Sequence, residues 1–196
     1  MPRDRRDTIL RAAEKVFALE GYHGTTMRQI ATEAGVQLSL VVYHFTAKIN
    51  LYTEIFRSRQ YINDDRLARL AAVDLTAPDA VDNIVKAFVD PVLALHDNPG
   101  DVWFARLVFR EAADPSSQQR AIMAELFDPM ARQFIAALRT ALPDKPPGFH
   151  EWAYLFSVGA LTQSAFDTRI ARLTDTPTGD KHAFLRSYIV GALVNP

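Results

Sequence analysis

One pair of side chains in the sequence has a spacing known from metal chemistry. Glu20 and His23 repeat the E-x-x-H spacing, in which both side chains project from one face of a helix and can bind one metal ion. Gly21 and the turn predicted after it disfavour that helix, so we expect no metal there. The sequence has no Cys and no GxGxxG, GxxxxGK, GxSxG or HExxH motif. The other histidines are scattered, at His44, His96, His150 and His182. We therefore expect no enzyme, no metal and no cofactor.

A second set of side chains suits the reading of DNA bases. Gln37, Leu38 and Ser39 come at the start of a predicted helix, where side chains reach base edges in the major groove. A glutamine can pair with adenine through two hydrogen bonds, and a leucine can contact the methyl group of thymine. For Leu38 the alternative is an inward core position. Arg28, in the preceding helix, reaches a guanine or a phosphate, or else stays solvated.

Four further side chains suit the binding of a DNA phosphate. Thr26 begins one predicted helix, and Tyr43, His44 and Lys48 surround the start of another. Backbone N–H groups and the helix dipole attract an anion at such positions. A cation in the first turn of a helix is unfavourable to the dipole, so an outside anion would explain Lys48.

The elements that position these side chains are short helices. Apolar residues at helical spacing predict a helix over 7–19, Thr25-Thr26 caps another over 26–34, and Gly35 ends it with a positive φ. A third runs over 37–44, with Val41 and Phe45 facing inward. Thr46 is expected to cap one long helix beyond it. This layout predicts a helix-turn-helix, although a generic pair of helices could be scaffold.

The rest of the chain also predicts helices, over residues 79–96, 101–113, 118–141, 149–172 and 180–193. Pro91 and Pro129 fall inside this pattern, and each either kinks its helix or marks a boundary at the preceding Asp. No strand pattern occurs. The expected fold class is all-α, an N-terminal three-helix helix-turn-helix domain over 1–48 and a C-terminal helical bundle over 49–196, with about nine helices in total.

Composition fits a DNA-binding head on a separate body. The 196 residues carry a net charge of −1, but residues 1–60 hold nine basic and six acidic side chains, and the rest 13 and 17. Such an asymmetry suits a nucleic-acid partner, although chance could produce it. No apolar run is long enough to span a membrane, and the charged first residues are not typical of a signal peptide. We expect a cytoplasmic protein without a membrane partner.

Residues 9–51 contain a long ungapped motif, made of Ile9-Leu10, Ala12-Ala13, Phe17, Gly21-Tyr22, Thr25-Thr26, Ile30-Ala31, Ala34-Gly35-Val36, Tyr43-His44-Phe45, Lys48 and Leu51. With this motif the segment resembles the TetR/AcrR family of transcriptional regulators. The run Gln37 to Phe45 departs from the commonest family pattern, since Val42 stands where many members carry Tyr. Trp103 to Leu107, Arg110-Glu111 and Pro115-Ser116 resemble the CecR-type subgroup.

The resemblance implies a ligand-responsive regulator, a repressor that binds a palindromic double-stranded DNA operator as a homodimer. An activator, a helical small-molecule binder with the same head, and a protein-interaction module stay open as alternatives. The segment Val-Gly-Ala-Leu occurs twice, at 158–161 and 190–193, in helices that resemble the family's dimer helices. The expected interface residues are Val158, Gly159, Thr162, Tyr188, Gly191 and Ala192, with close packing inside one subunit as the alternative for the glycines.

An apolar or aromatic small molecule is the expected effector. Aromatic residues near Pro91 and Pro129 and along the helix from 149 could line its pocket, although each taken alone could be ordinary core. Trp152, Phe156 and Phe166 form one predicted stripe. The expected ligand-binding residues are Phe88, Val92, Phe104, Leu107, Val108, Phe127, Met130, Phe134, Phe156 and Gln163.

Overall fold

The structure is a computed structural model that describes residues 5–98, 100–165, 170–176 and 178–195. Its described residues form α-helices and one short 3-10 helix, without strands, which confirms the all-α class. The α-helices are α1 Arg5–Gly24, α2 Met27–Ala34, α3 Leu38–Phe45, α4 Lys48–Ser58, α5 Tyr61–Ala71, α6 Ala80–Asp97, α7 Val102–Ala113, α8 Ile122–Leu126, α9 Asp128–Ala141, α10 Phe149–Ala165, α11 Ile170–Leu173 and α12 Lys181–Val194. The 3-10 helix is Ser117–Arg120. The described segments outnumber the nine predicted because the helix expected after Thr46 is two helices and the one expected over 118–141 is three segments. The helix predicted over 149–172 is described over 149–165 and 170–173.

The first three helices form where local signals predicted them. Thr26 caps α2 through a capping box, since its hydroxyl accepts from the Gln29 backbone N–H while the Gln29 side chain accepts from the Thr26 N–H. Gly35 ends α2 at φ 63°, a conformation in which a Cβ is strained. Gly21 breaks α1 at φ 76°, so Glu20 and His23 do not share one regular helical face.

The long helix expected after Thr46 does not exist. Thr46 ends α3 at φ 58° instead of capping the next helix, and Ala47 precedes α4. α4 then ends at Ser58, and α5 begins at Tyr61. Gly and Pro, the usual signals for a break, are absent at Arg59 and Gln60, so no local signal predicts the end of α4.

The two internal prolines behave differently. α6 continues through Pro91, so the alternative of a boundary at Asp90 is wrong. Pro129 instead lies in the first turn of α9, where its missing N–H has no intrahelical acceptor to lose. The predicted helix over 118–141 is therefore divided into the 3-10 helix, α8 and α9.

The described helices form two compact units. Unit 1 contains α1 to α4, α7, the 3-10 helix and α8, and unit 2 contains α6, α9 to α12 and α5 apart from its first residue. The core of unit 1 includes Ile9, Phe17, Ile30, Val41 and Leu51. The core of unit 2 includes Ile84, Phe88, Phe134, Leu161 and Ile189. This packing divides the chain differently from the functional division into 1–48 and 49–196, which stays a prediction.

No described helix is both long and apolar enough to cross a membrane.

Candidate functional site

The third helix is held by one face and leaves the other open. Val41 and Phe45, four residues apart, are buried, as are Ile30 on α2 and Phe17 on α1. The inward position expected for Val41 and Phe45 is therefore confirmed. α3 packs against α2 and α4, which places its opposite face on the surface of unit 1.

The N-terminal residues of α3 lie on that open face. Gln37, Leu38 and Ser39 are exposed, and Gln37 makes no capping hydrogen bond to α3. Leu38 is 36% exposed, so the alternative of an inward core leucine is wrong. Tyr43, 80% exposed, extends the same surface. The side chains expected to read bases are thus brought together on a rigidly anchored helix.

Thr26, which caps α2, and Arg28, in its first turn, differ in whether their polar groups already have partners inside the protein. Arg28 is exposed in the first turn of α2. The Thr26 hydroxyl already takes part in the capping box, donating to Gln29 Oε1 at 2.7 Å. Its backbone N–H is also used, with Gln29 Oε1 at 2.7 Å. Arg28 therefore has the freer side chain for a base or phosphate.

Lys48 has an unexpected structural task. Its ammonium donates to the carbonyl oxygens of Tyr22 at 2.8 Å and Thr25 at 3.0 Å, and stands 4.5 Å from the centroid of the Tyr22 ring. Partial burial lowers the Lys48 pKa from its usual value. Two carbonyl acceptors thus account for a cation in the first turn of α4 without an outside anion. An ammonium has three donors, so one N–H remains for a phosphate.

His44, the last of the residues predicted to bind a phosphate, is half-buried beside the Tyr43 ring, with 5.2 Å between ring centroids.

Sequence reasoning missed two basic neighbours of α3. Arg5 lines a depression of about 500 Å³ with Gln37, Ser39 and Tyr43 among its walls. Arg6 pairs with Glu54 and stands over the Phe45 ring. The arginines at positions 3, 5 and 6 are the signal in the sequence from which these basic neighbours could have been predicted.

His23, considered with Glu20 as a metal ligand, has a hydrogen-bond partner in the structure. His23 Nε2 lies 2.9 Å from Ser116 Oγ, which gives the ring a hydrogen-bond partner inside unit 1. Across the described parts of the chain, no group of three or more acidic or imidazole side chains is placed to hold a metal ion.

The predicted effector residues fall in three places. Phe104, Leu107, Val108 and Phe127 belong to unit 1, where Phe104 and Phe127 both contact the Phe56 ring. In unit 2, Phe88, Met130 and Phe134 are core residues, with Val92 packed against them. Phe156 and Gln163 instead line an open groove on α10 and α12. Phe166 lies outside the described residues. The set therefore does not form one lining within either unit.

The open groove of unit 2 is lined by two of the six predicted dimer residues, Tyr188 and Ala192. It encloses about 1290 Å³ and is lined by large exposed side chains, Trp152, Phe156, Phe184 and Tyr188. Gly159 and Gly191 have open space where a Cβ would stand, so neither glycine serves close packing inside the subunit. Val158 packs against the core, and Thr162 donates to the Gly159 carbonyl at 3.0 Å.

Comparison with known proteins decides the family. Residues 9–55 match bacterial regulatory proteins of the tetR family, and residues 86–190 match the tetracyclin repressor-like C-terminal domain. The second match alone covers more than half of the chain. The chain belongs to the TetR family. The description of this family is that of bacterial regulatory proteins and not of enzymes.

Individual relatives extend this result. The transcriptional activator FasR of Mycolicibacterium smegmatis is 41% identical over 58 residues, 29% of this chain and 26% of FasR. The transcriptional regulator SrpR of Pseudomonas putida is 25% identical over 139 residues, 71% of this chain and 62% of SrpR. Both matches thus span less than two thirds of the relative. The crystal structure of HlyIIR, a hemolysin II transcriptional regulator, shares the fold with a TM-score of 0.70, 21% identity and 98% coverage of both chains.

The TetR-family matches cover the candidate sites unevenly. The N-terminal match contains every predicted DNA-contact position, from Thr26 to Lys48. The C-terminal match contains all the predicted effector residues, while Gly191 and Ala192 lie just beyond its last residue. The family matches therefore cover every predicted DNA-contact and effector position, but only part of the predicted dimer interface.

Proposed function

We propose that this TetR-family regulator binds a palindromic operator as a homodimer, with one α3 helix in the major groove of each half-site. The observation that carries the proposal is the exposed row Gln37, Leu38 and Ser39 on a helix anchored by buried Val41 and Phe45. Side chains at the N-terminus of such a helix read base edges, and a two-fold dimer matches a two-fold DNA sequence. Arg28, Tyr43, His44, Lys48 and Thr26 are proposed to contact phosphates or neighbouring bases.

The proposed dimer uses the groove of α10 and α12. Trp152, Phe156, Phe184 and Tyr188 are each more than half exposed there, and an apolar surface of this kind is typical of a protein interface. A second copy of the chain is the occupant we favour, because the helices of the two copies can approach closely at Gly159 and Gly191. The proposed contacts also include Val158, Thr162 and Ala192.

The proposed regulation is repression relieved by an apolar or aromatic small molecule. The apolar residues of unit 2, among them the aromatic Phe88 and Phe134 and the aliphatic Met130, support a ligand of this type. Binding lowers operator affinity if the ligand favours a conformation that binds DNA less well. Activation is the alternative sign, and FasR is named an activator. We also propose that the protein belongs to the CecR-type subgroup. We propose a cytoplasmic location as well, because a DNA target would lie there.

Selection of DNA fragments from a random library by the purified full chain tests the function. We expect a symmetric motif, protected in a footprint and bound with steep salt dependence, because neutralised phosphates release counterions. A selection without a symmetric motif would contradict the homodimer on a palindrome. A helical ligand binder that only retains the head would return no specific DNA at all.

A small-molecule panel tests the regulation. Compounds that raise the unfolding midpoint of the full chain are added to its complex with the selected operator. We expect at least one apolar or aromatic compound to lower operator affinity. An increase in affinity with the same compound would favour the activator alternative.

A further inference from the structure

A buried arginine lies in the core of unit 2. Arg66 on α5 is 5% exposed, between Ile62 and Leu70 on the same buried stripe. Its guanidinium carbon stands 4.2 Å from the centroid of the Phe88 ring and 5.7 Å from that of Phe134. Its Nε is sealed from solvent and has no hydrogen-bond partner. A permanent cation is thus surrounded by apolar side chains.

Two other described arginines with largely buried side chains, Arg59 and Arg120, are paired with carboxylates, whereas Arg66 is not. Arg59 pairs with Glu14 at 3.0 Å and Asp101 at 2.6 Å. Arg120 pairs with Glu111 and Asp114, both at 2.7 Å. Among the described residues, no carboxylate raises the Arg66 pKa, and Tyr154 is the titratable neighbour that does.

This arrangement costs folding free energy. Removing an ion from water costs several kcal/mol when no opposite charge accompanies it. Cation–π contacts with the faces of Phe88 and Phe134 offset part of this cost. Burial lowers the Arg66 pKa to about 10, so the side chain keeps its charge at neutral pH. A buried charge without an opposite charge in the protein is a candidate position for an anion that comes from outside.

We propose that unit 2 binds a small molecule with a carboxylate on an apolar or aromatic body, and that Arg66 supplies the opposing charge. This inference rests on the proposed ligand-responsive function and specifies the chemical class of the ligand. An arginine can pair with a carboxylate through two parallel hydrogen bonds, and its planar group keeps donors available beside the aromatic rings. Phe88, Phe134 and the flexible Met130 of the same cluster contact the body. Tyr154, whose ring lies 5.4 Å from Phe88, flanks the site.

Matched probes test the charge directly. Octanoate is compared with octanamide, and 2-naphthoate with 2-naphthamide, by calorimetric titration of the full chain. Each pair shares its shape and differs in the negative charge. We expect one of the carboxylates to bind about 10-fold or more tightly than its amide, as for a hydrogen bond to a charged group. Arg66→Met should reduce this ratio to about 1.

Arg69→Met is the matched control, because Arg69 lies on the same helix, is half exposed and pairs with Asp65. It should keep the carboxylate preference. Arg66→Met should not lower the unfolding midpoint, since an apolar side chain of similar size replaces an unpaired charge. If it does lower the midpoint, Arg66→Lys and Arg66→Gln are compared instead, and only the charged variant should retain the preference.

Three outcomes would overturn the inference: equal affinity for acid and amide, a preference that survives in Arg66→Met or Arg66→Gln, and no binding of either carboxylate. All of these measurements are made without DNA. A failed operator selection would therefore contradict the proposed function while leaving the carboxylate result readable.

Discussion

Replacing Lys48 by Ala separates a structural role from a DNA-binding role. The ammonium holds the connection between α1 and α2 through the carbonyls of Tyr22 and Thr25 and the Tyr22 ring. Because the site is only half-buried, water can replace part of this, and the expected loss is about 1–2 kcal/mol of unfolding free energy. For a chain of this length, that corresponds to a fall of roughly 2–8 °C in the unfolding midpoint.

The second readout is the salt dependence of operator binding. If the third N–H of Lys48 also contacts a phosphate, Lys48→Ala removes one neutralised phosphate per subunit. The slope of log K against log salt then becomes shallower by about 0.9 for each phosphate lost. The weakening should be the same for all DNA sequences, since a phosphate carries no sequence information.

The two measurements give distinct results. Differential scanning calorimetry follows the midpoint, and fluorescence anisotropy at several salt concentrations follows the slope. Lys15→Ala is the control, because Lys15 is an exposed lysine of the same unit that pairs with Glu33 on the surface. An unchanged midpoint would refute the structural role, and an unchanged slope with a lowered midpoint would refute the phosphate contact.

Three further predictions concern other parts of the chain. Gln37→Ala should change the preferred bases in a repeated DNA selection, whereas a uniform loss across sequences would exclude base reading by its amide. Gly159→Leu or Gly191→Leu should shift the chain toward monomer in sedimentation at low micromolar concentration, while Thr140→Leu, exposed on α9, should not. Hydrogen bonds from Ser116, with Arg120 nearby, lower the Asp114 pKa to about 2. The stabilisation by Asp114 is therefore complete above pH 4 and is lost as the pH falls toward 2. In Asp114→Asn the unfolding midpoint should depend less on pH over this interval.

The helix-turn-helix could be predicted because its determinants are local. The capping box of Thr26, the positive φ of Gly35 and the spacing of Val41 and Phe45 all act within a few residues. The break between α4 and α5 could not be predicted, because the contacts made there are with residues distant in sequence. Arg59 reaches Glu14 and Asp101, 45 and 42 residues away, and no local turn residue announces it. The positive φ of Ala121, which ends the 3-10 helix, is equally invisible in the sequence.

The predicted DNA residues share a surface, whereas the predicted effector residues do not, and the reason is physical. Contacts to DNA must be exposed, and helical periodicity separates exposed from buried positions. An aromatic residue in an all-α chain serves any core equally well, so Phe104 and Phe134 are alike in sequence although they belong to different units. Periodicity assigns a residue to a face but not to a cluster.

Arg66 shows how the same periodicity could have found a site that composition hid. The spacing of Ile62, Arg66 and Leu70 places the arginine on the inward face of α5, while its charge favours the solvent. Sequence reasoning usually resolves such a conflict in favour of the charge. Here the spacing prevails, and the side chain is buried without a carboxylate partner. Charged side chains are normally exposed or paired, and Arg66 is neither. Such an exception is expected where function supplies the partner, so a charged residue on an apolar stripe is a better first target for mutation than the aromatic residues around it.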